Sequence, residues 1–219
     1  MIQIMKTESI SIIASILQKE DVEKHIKDQL MQVLRIENEE SASKQRKFNL
    51  WDCVDKSGMR PVMSCIFHDG GFKVASEGHY LVAVKDEYPE TFEGKCLRKD
   101  GEFVDGVYPC WKSLCRLERF NSFSDVFNLD RARDIVKEFR TDKKTKIYIG
   151  FFVKMFDRYI LAEHFEMMTR FASMYHDEVK VFRHSEEYVI PLMLSHVDDL
   201  FLVMPRRKPD SDTIKVYEY

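Results

Sequence analysis

Two kinds of hydrophobic spacing divide the chain. Residues 2–5 have the pattern of a short strand, and residues 7–36 carry apolar residues at helical intervals, with a break near residues 18–20. The polar stretch 37–47 predicts a loop. The apolar face of the helical region consists of Val22, Ile26, Leu30, Val33 and Leu34.

After this region the hydrophobic period shortens. Four segments, 47–54, 60–67, 71–76 and 79–85, predict strands joined by turns. Asp69-Gly70 predicts a hairpin, because both central positions of a type I′ turn need a positive φ. Residues 86–107 are rich in glycine and proline and predict turns, and residues 108–120 form a short segment that is apolar on one side.

The last hundred residues repeat a similar order of elements. A helix is predicted at about 129–140, with Asn128 as its N-cap. A strand at 146–152 and a helix at 153–175 follow. Three strands are then predicted at 178–184, 187–194 and 199–205.

This order predicts an α+β fold built from two βαβββ halves, with antiparallel sheets, helices on one face and extra helices. The order of elements alone indicates the repeat. The expected organisation is a helical region of the first half (1–46), a first sheet half (47–120), a basic helical connector (121–145), a second half (146–208) and a C-terminal tail (209–219).

Composition is typical of a globular protein. The chain has 219 residues, of which 44% are apolar and 32% are charged. The sequence has no run of about 18 apolar residues, which argues against a membrane-spanning helix. Its N-terminus lacks a signal-peptide pattern. We therefore expect a cytoplasmic protein that makes no membrane contact. The five cysteines have no paired spacing and predict reduced thiols, with Cys65 in the core.

Catalytic and metal-binding motifs are missing from the sequence. His164, His176, His184 and His196 lack the spacing of zinc ligands and predict structural or surface histidines. The adjacent acids Asp198-Asp199 predict a hairpin turn instead of a catalytic pair. We expect a protein that is not an enzyme and needs no cofactor, with an unrecognised catalytic site as the alternative.

A local excess of positive charge stands out against the net charge of −3. Residues 129–146 hold seven basic and four acidic side chains, an excess of +3. Such a helix is a candidate contact for nucleic acid. The alternative is a solvated helix with supporting charge pairs.

Three stretches lie at turns or strand ends: 76–81, 106–114 and 202–208. The first turns into a strand, the second places a proline and a tryptophan beside a cation, and the third ends a strand with a methionine, a proline and two arginines. Apolar groups rimmed by Arg or Lys are typical of peptide-binding pockets. Ordinary strand ends carry the same residue types, so this pattern alone leaves both interpretations open.

Taken together, these motifs resemble the bacterial sliding clamp, the beta subunit of DNA polymerase III. The resemblance covers about half of the chain, and the motifs come in the order of that family. It is carried by RPVMSCIF (60–67), VASEGHYLVAV (74–84), DGVYPCWKSL (105–114), IYIGFFVKMFDRYIL (147–161) and LVMPRRK (202–208).

The resemblance implies a groove that captures short peptides of polymerases and other replication or repair proteins. An apolar slot suits Leu and Phe side chains, whose burial contributes about 1.5–3 kcal/mol each, and an edge pocket suits an extended peptide. Met63 would form the floor of this groove. Its walls would be Ser76, Gly78, His79, Tyr80 and Leu81; Pro109, Ser113 and Leu114; and Leu202, Met204, Pro205, Arg206 and Arg207.

The sequence departs from the family pattern at several wall positions. Tyr80 and Ser113 stand where the family has arginine, Glu77 where it has aspartate and Ser76 where it has threonine. The implied pocket is therefore less basic on that side.

Length is the other departure. The family subunit has three similar domains and forms a six-domain ring around duplex DNA, whereas this chain has room for one such domain or two reduced ones. A ring would need several copies, either three two-domain chains or six single-domain chains.

The leading hypothesis is a sliding-clamp-like DNA-associated protein that binds duplex DNA without sequence preference. Phosphate contacts are expected from Arg131, Arg133, Lys137 and Arg140. The alternative is a monomeric or dimeric clamp-fold peptide-binding module or adaptor that does not encircle DNA.

Overall fold

The computed structural model describes residues 48–115, 120, 124–145, 147–183, 191–209, 211 and 213–219. The strand, helical region and loop predicted within residues 1–47 lie outside these described residues.

Twelve strands and three α-helices form the described fold, together with three short 3-10 helices at Leu50–Asp52, Pro61–Ser64 and Glu90–Phe92. The strands are β1 (Ile66–Asp69), β2 (Phe72–Ser76), β3 (Tyr80–Lys85), β4 (Cys96–Leu97), β5 (Phe103–Val104), β6 (Ser124–Val126), β7 (Gly150–Met155), β8 (Arg158–Leu161), β9 (Lys180–Arg183), β10 (Leu192–His196), β11 (Asp199–Val203) and β12 (Ile214–Glu218). The helices are α1 (Trp111–Leu114), α2 (Leu129–Thr145) and α3 (Ala162–Ala172).

Nine strands form one antiparallel sheet in the order β5-β4-β1-β2-β3-β11-β10-β9-β6. The predicted α+β class with antiparallel strands is confirmed. At its centre β3 pairs with β11, with Tyr80 opposite Val203 and Ala83 opposite Leu200. Strands from the segments 47–120 and 146–208 therefore belong to a single sheet. A smaller sheet has the order β12-β7-β8, in which β12 runs parallel to β7.

The central strands are buried on both faces. Successive side chains of a strand point to opposite sides, and Tyr80 and Val82 enter one hydrophobic cluster whereas Leu81 and Ala83 enter another. The larger cluster contains the apolar faces of α2 and α3. The smaller cluster contains Tyr108, Trp111 and Cys115 on the other side. This explains why β3 reads as a continuous apolar run.

The two predicted hairpins are confirmed. Asp69 pairs with Phe72, and the turn residues Gly70 and Gly71 have φ values of 62° and 81°, which glycine adopts without steric cost. At Asp198-Asp199, His196 pairs with Asp199, so the turn lies between β10 and β11. Cys65 is fully buried, as predicted.

The predicted helix over 153–175 is wrong in its first nine residues. Here β7 turns at Phe156, whose φ is 54°, into β8, and α3 begins only at Ala162. Phe151, Val153 and Met155 are buried on alternate positions, so this segment follows a period of two. Tertiary burial against α3 selects the strand over the helix.

One predicted strand is wrong, another begins later than predicted, and several short strands were missed. Residues 47–54 contain a 3-10 helix, and 60–67 becomes a strand only at Ile66. The missed strands include β12, which lies within the predicted tail and pairs with β7. Short edge strands such as β4 and β5 span two residues each, which is too few to show a period.

Candidate functional site: a cationic groove and a strand-end cluster

Helix α2 presents one apolar and one cationic side. The Asn128 side chain accepts a hydrogen bond from the Arg131 backbone N–H at 2.9 Å, which confirms it as the N-cap. The buried side, Ala132, Ile135, Val136 and Phe139, packs into the core. The exposed side carries cations at successive intervals of four, three and four residues, which lie along one helix face. These cations are Arg133, Lys137, Arg140 and Lys144.

Helix α3 lies beside α2, and two ion pairs join them. The Nη2 atom of Arg140 lies 2.5 Å from Oε1 of Glu166, and Nζ of Lys143 lies 3.0 Å from Oε1 of Glu163. The hydrogen bond to Glu166 raises the pKa of the Arg140 guanidinium, so this cation stays charged. These contacts join the solvent-facing sides of the two helices.

A groove of about 430 Å³ runs between α2 and α3. Its cations are the four of the α2 row and Arg170 of α3, and its carboxylate is Glu166, so its formal charge is +4. The whole chain carries −3. The groove is therefore a local basic surface on an otherwise weakly acidic protein, and a surface of that kind attracts polyanions. We call it the cationic groove.

The cations of the cationic groove differ in their partners. Arg133 pairs with Asp130 at 3.2 Å, and Arg170 pairs with Asp52 at 2.9 Å. Within the described residues, the Lys137 and Lys144 side chains form no ion pair. These two ammonium groups can therefore meet an anion without giving up a carboxylate partner.

Three of the four predicted DNA-contacting residues, Arg133, Lys137 and Arg140, line the cationic groove. Arg131 lies elsewhere, since its Nη2 donates to the Glu218 carbonyl oxygen of β12 at 2.9 Å. Lys144 was missed although it continues the spacing of the row. Arg170 is separated from that row by 26 residues or more in sequence, and only helix packing brings it to the groove.

The second candidate region lies where β3 begins and β11 ends. Met204 donates its backbone N–H to the His79 carbonyl at 2.8 Å, which continues the pairing of Tyr80 with Val203 and Leu81 with Leu202. Two of the three sequence stretches are thus neighbours along their backbones. Ser76 closes the turn, because its hydroxyl donates to the Tyr80 carbonyl at 2.7 Å.

The wall residues of this region differ in exposure. His79, Gly78, Arg206 and Arg207 are exposed, and Met204 and Pro205 are half-buried. The buried members are Met63, Ser76, Tyr80, Leu81 and Leu202. The exposed and half-buried set presents a mixed apolar and cationic surface, whereas the buried set supports it from below.

The third stretch is held at the β1–β2 hairpin. The Trp111 indole N–H donates to Oδ2 of Asp69 at 2.8 Å, and Lys112 lies 2.9 Å from Oδ1 of the same carboxylate. Pro109 is exposed, Ser113 is half-buried and donates its hydroxyl to the Cys110 carbonyl, and Leu114 is 48% exposed. Trp111 shares a buried cluster with Leu81 and Leu202. The connection of this stretch to the other two therefore runs through Trp111 and Tyr108, which lies in the same cluster.

Glycine is required at position 78 because the Arg60 side chain lies close to the backbone there. Its φ is 99°, and a Cβ at this position would clash with the Arg60 guanidinium. Arg60 also donates to the Glu77 carbonyl at 2.9 Å and pairs with Asp55 at 3.2 Å. Arg60 thereby holds the turn that presents His79.

A buried histidine lies behind this turn. The His164 Nε2 atom of α3 lies 3.6 Å from Oε1 of Glu77, and its ring stacks on that of His79 at 5.8 Å. Its Nδ1 atom is buried and has no hydrogen-bond partner within the described ranges. Burial lowers the pKa of His164, with smaller contributions from His79 and Arg206, while Glu77 and Glu163 oppose the shift.

This histidine makes stability depend on pH. The pKa of folded His164 lies below its ordinary value of 6.5, so the unfolded chain binds the proton more readily. The free energy of unfolding should therefore fall as pH drops below about 6.5, towards the folded pKa. In urea titrations at about pH 7.5 and 5.5, His164→Gln should reduce this loss, whereas His176→Gln, at an exposed position, should leave it unchanged. An equal pH dependence in His164→Gln and the unmutated protein would contradict the assignment.

No protein-family model matches the chain, and no curated protein matches its sequence. The relation to sliding clamps therefore stays a prediction from the motifs. Among the described residues, no helix is long and apolar enough to cross a membrane. In the same part of the chain, no group of three His, Cys, Asp or Glu side chains is placed to hold a metal ion.

Proposed function

We propose that this protein is a sliding-clamp-like DNA-associated protein, with its cationic groove facing duplex DNA. The row of cations on α2, joined by Arg170, is the observation that carries the proposal. Lys and Arg that neutralise phosphates release condensed counterions, which gives binding without sequence preference. Helices on one face of antiparallel sheets are part of the clamp-like fold that the sequence predicts. The division into two clamp-like halves and the ring of several copies belong to this proposal.

Peptide capture is the second part of the proposal. The surface that joins the start of β3 to the end of β11 would accept an apolar residue of an extended partner peptide beside Met204 and Pro205. Arg206 and Arg207 would attract acidic residues of that peptide. The partners would be proteins with clamp-binding motifs, such as polymerases.

An adaptor without DNA encirclement is the alternative function. The net charge of −3 favours it, because it weakens long-range attraction to DNA. The close pairing of His79 with Met204 is compatible with peptide capture by a single copy.

Solution mass and DNA affinity test these proposals together. Light scattering over a range of protein concentrations should show a closed trimer or hexamer, and fluorescence anisotropy should show duplex binding that weakens steeply with salt. A monomer would contradict a ring. A monomer that binds a clamp-binding peptide but no duplex, even at about 50 mM salt, would favour the adaptor.

Truncating the peptide surface should weaken capture. Met204→Ala and His79→Ala should each lower the affinity for a fluorescent clamp-binding peptide about five- to ten-fold, since truncating an interface anchor costs on the order of 1 kcal/mol or more. Met59→Ala is the matched control, because Met59 is 83% exposed and lies in another loop. Thermal melts of all three variants check folding. Undiminished binding by both pocket variants would contradict this site.

A further inference from the structure

The cationic groove contains its own counter-charge. Glu166 is the carboxylate that lines it, and it pairs with Arg140 at 2.5 Å. The two partners differ in exposure, since the Arg140 side chain is 60% exposed and that of Glu166 is 23% exposed. The carboxylate is thus held by its surroundings, while the guanidinium is open to solvent and to a ligand.

A second ion pair between the same two helices lies just outside the cationic groove, and its Glu163 carboxylate is 50% exposed. Lys143 and Glu163 each lie three residues from Arg140 and Glu166 on the same two helices, and their charged atoms are 3.0 Å apart. Neither residue lines the groove. Both pairs join the same two helices through a basic and an acidic side chain. Only the Arg140–Glu166 pair would contact a ligand in the groove.

We propose that Glu166 is a built-in competitor for the anion that binds the cationic groove. A phosphate entering between α2 and α3 must replace the carboxylate as the partner of Arg140 and approach a negative charge. Glu166 therefore weakens phosphate binding and leaves Lys137 and Lys144 as the first contacts. This inference rests on the proposed function, because the ligand is the DNA of that proposal. It adds a residue that lowers the affinity of the cationic groove for DNA.

The competition predicts a specific pattern of affinities. Glu166→Gln keeps the shape of the side chain but removes its charge, so Arg140 becomes available to a phosphate. We expect about three- to ten-fold tighter binding of a fluorescent duplex at about 50 mM salt. The slope of log affinity against log salt should become steeper by up to about 0.9, which corresponds to one more phosphate contact. Glu163→Gln changes the net charge equally, and its affinity for duplex should be much closer to that of the unmutated protein.

A double-mutant cycle separates competition from a structural role. Arg140→Gln should weaken duplex binding in the unmutated protein, because it removes a groove cation and leaves Glu166 unpaired. It should cost more in the Glu166→Gln background, where the freed guanidinium contacts a phosphate. Equal costs of Arg140→Gln in the two backgrounds would overturn the proposal, and so would equal affinities of Glu166→Gln and Glu163→Gln. If the unmutated protein binds duplex and Glu166→Gln binds no better, only this inference fails. If no variant binds duplex at about 50 mM salt, the proposed function fails and the inference with it.

Discussion

Lys137→Glu combined with Lys144→Glu is expected to abolish measurable duplex binding at moderate salt. These two cations line the cationic groove, and within the described part of the chain they have no carboxylate partner. Reversing both would bring the groove from +4 to a formal charge of zero. The expected loss is at least about 100-fold at about 50 mM salt, and the salt slope should fall by about 1.8 for two lost phosphate contacts.

The matched control reverses two exposed lysines elsewhere. Lys99 lies between β4 and β5, and Lys180 lies in β9, so Lys99→Glu with Lys180→Glu changes the net charge equally outside the cationic groove. Fluorescence anisotropy with one labelled duplex, at about 50 and 200 mM salt, measures both double variants. Equal losses in the two variants would show that net charge, and not the groove, governs binding.

Phe201→Ala should destabilise the fold by about 3–5 kcal/mol, the range for a buried phenylalanine that leaves a cavity. Phe201 of β11 is fully buried. Its ring stacks on Tyr80 of β3 at 5.3 Å and packs on Phe171 of α3 at 5.6 Å. One side chain thus joins the two central strands and a groove-forming helix, so its loss should weaken the whole sheet.

Urea denaturation followed by fluorescence and circular dichroism measures this effect. Phe103→Ala is the control, because Phe103 is 41% exposed on the edge strand β5 and should cost much less. Since β3 and β11 pair directly, we expect the two probes to report one cooperative transition. Separate transitions for the two segments, or a cost below about 1 kcal/mol, would contradict this account of the core.

Features that depend on a few neighbouring residues were predictable. The Gly70-Gly71 hairpin follows from positive φ values that glycine tolerates. The start of α2 follows from the Asn128 side chain, which satisfies a free backbone N–H of the first turn. Both are local, so the sequence contains all the information that they require.

The segment 153–161 shows where local pattern fails. Its apolar residues fit a helix as well as a strand, and the tight turn at Phe156 uses a positive φ that is rare for a phenylalanine. Only the burial of Val153, Met155 and Ile160 in the core selects the strand. Local pattern also cannot predict the parallel pairing of β12 with β7, because the two strands lie some sixty residues apart in sequence.

The candidate site divides in the same way. The spacing of Arg133, Lys137 and Arg140 placed them together because residues three and four apart share a helix face. Arg131 has the same charge, but its position on the helix directs it to the Glu218 carbonyl. Arg170 and Glu166 enter the groove only because α3 packs beside α2.

By itself, the sequence determined the α+β class, the hairpins, the capped basic helix and the order of motifs that suggests a clamp, since each depends on local spacing or composition. Tertiary structure decided that β3 and β11 close into one sheet, that Trp111 connects α1 to it, and that Glu166 faces the cations of α2. These contacts join residues distant in sequence, and burial and pairing energies that no local pattern encodes select them.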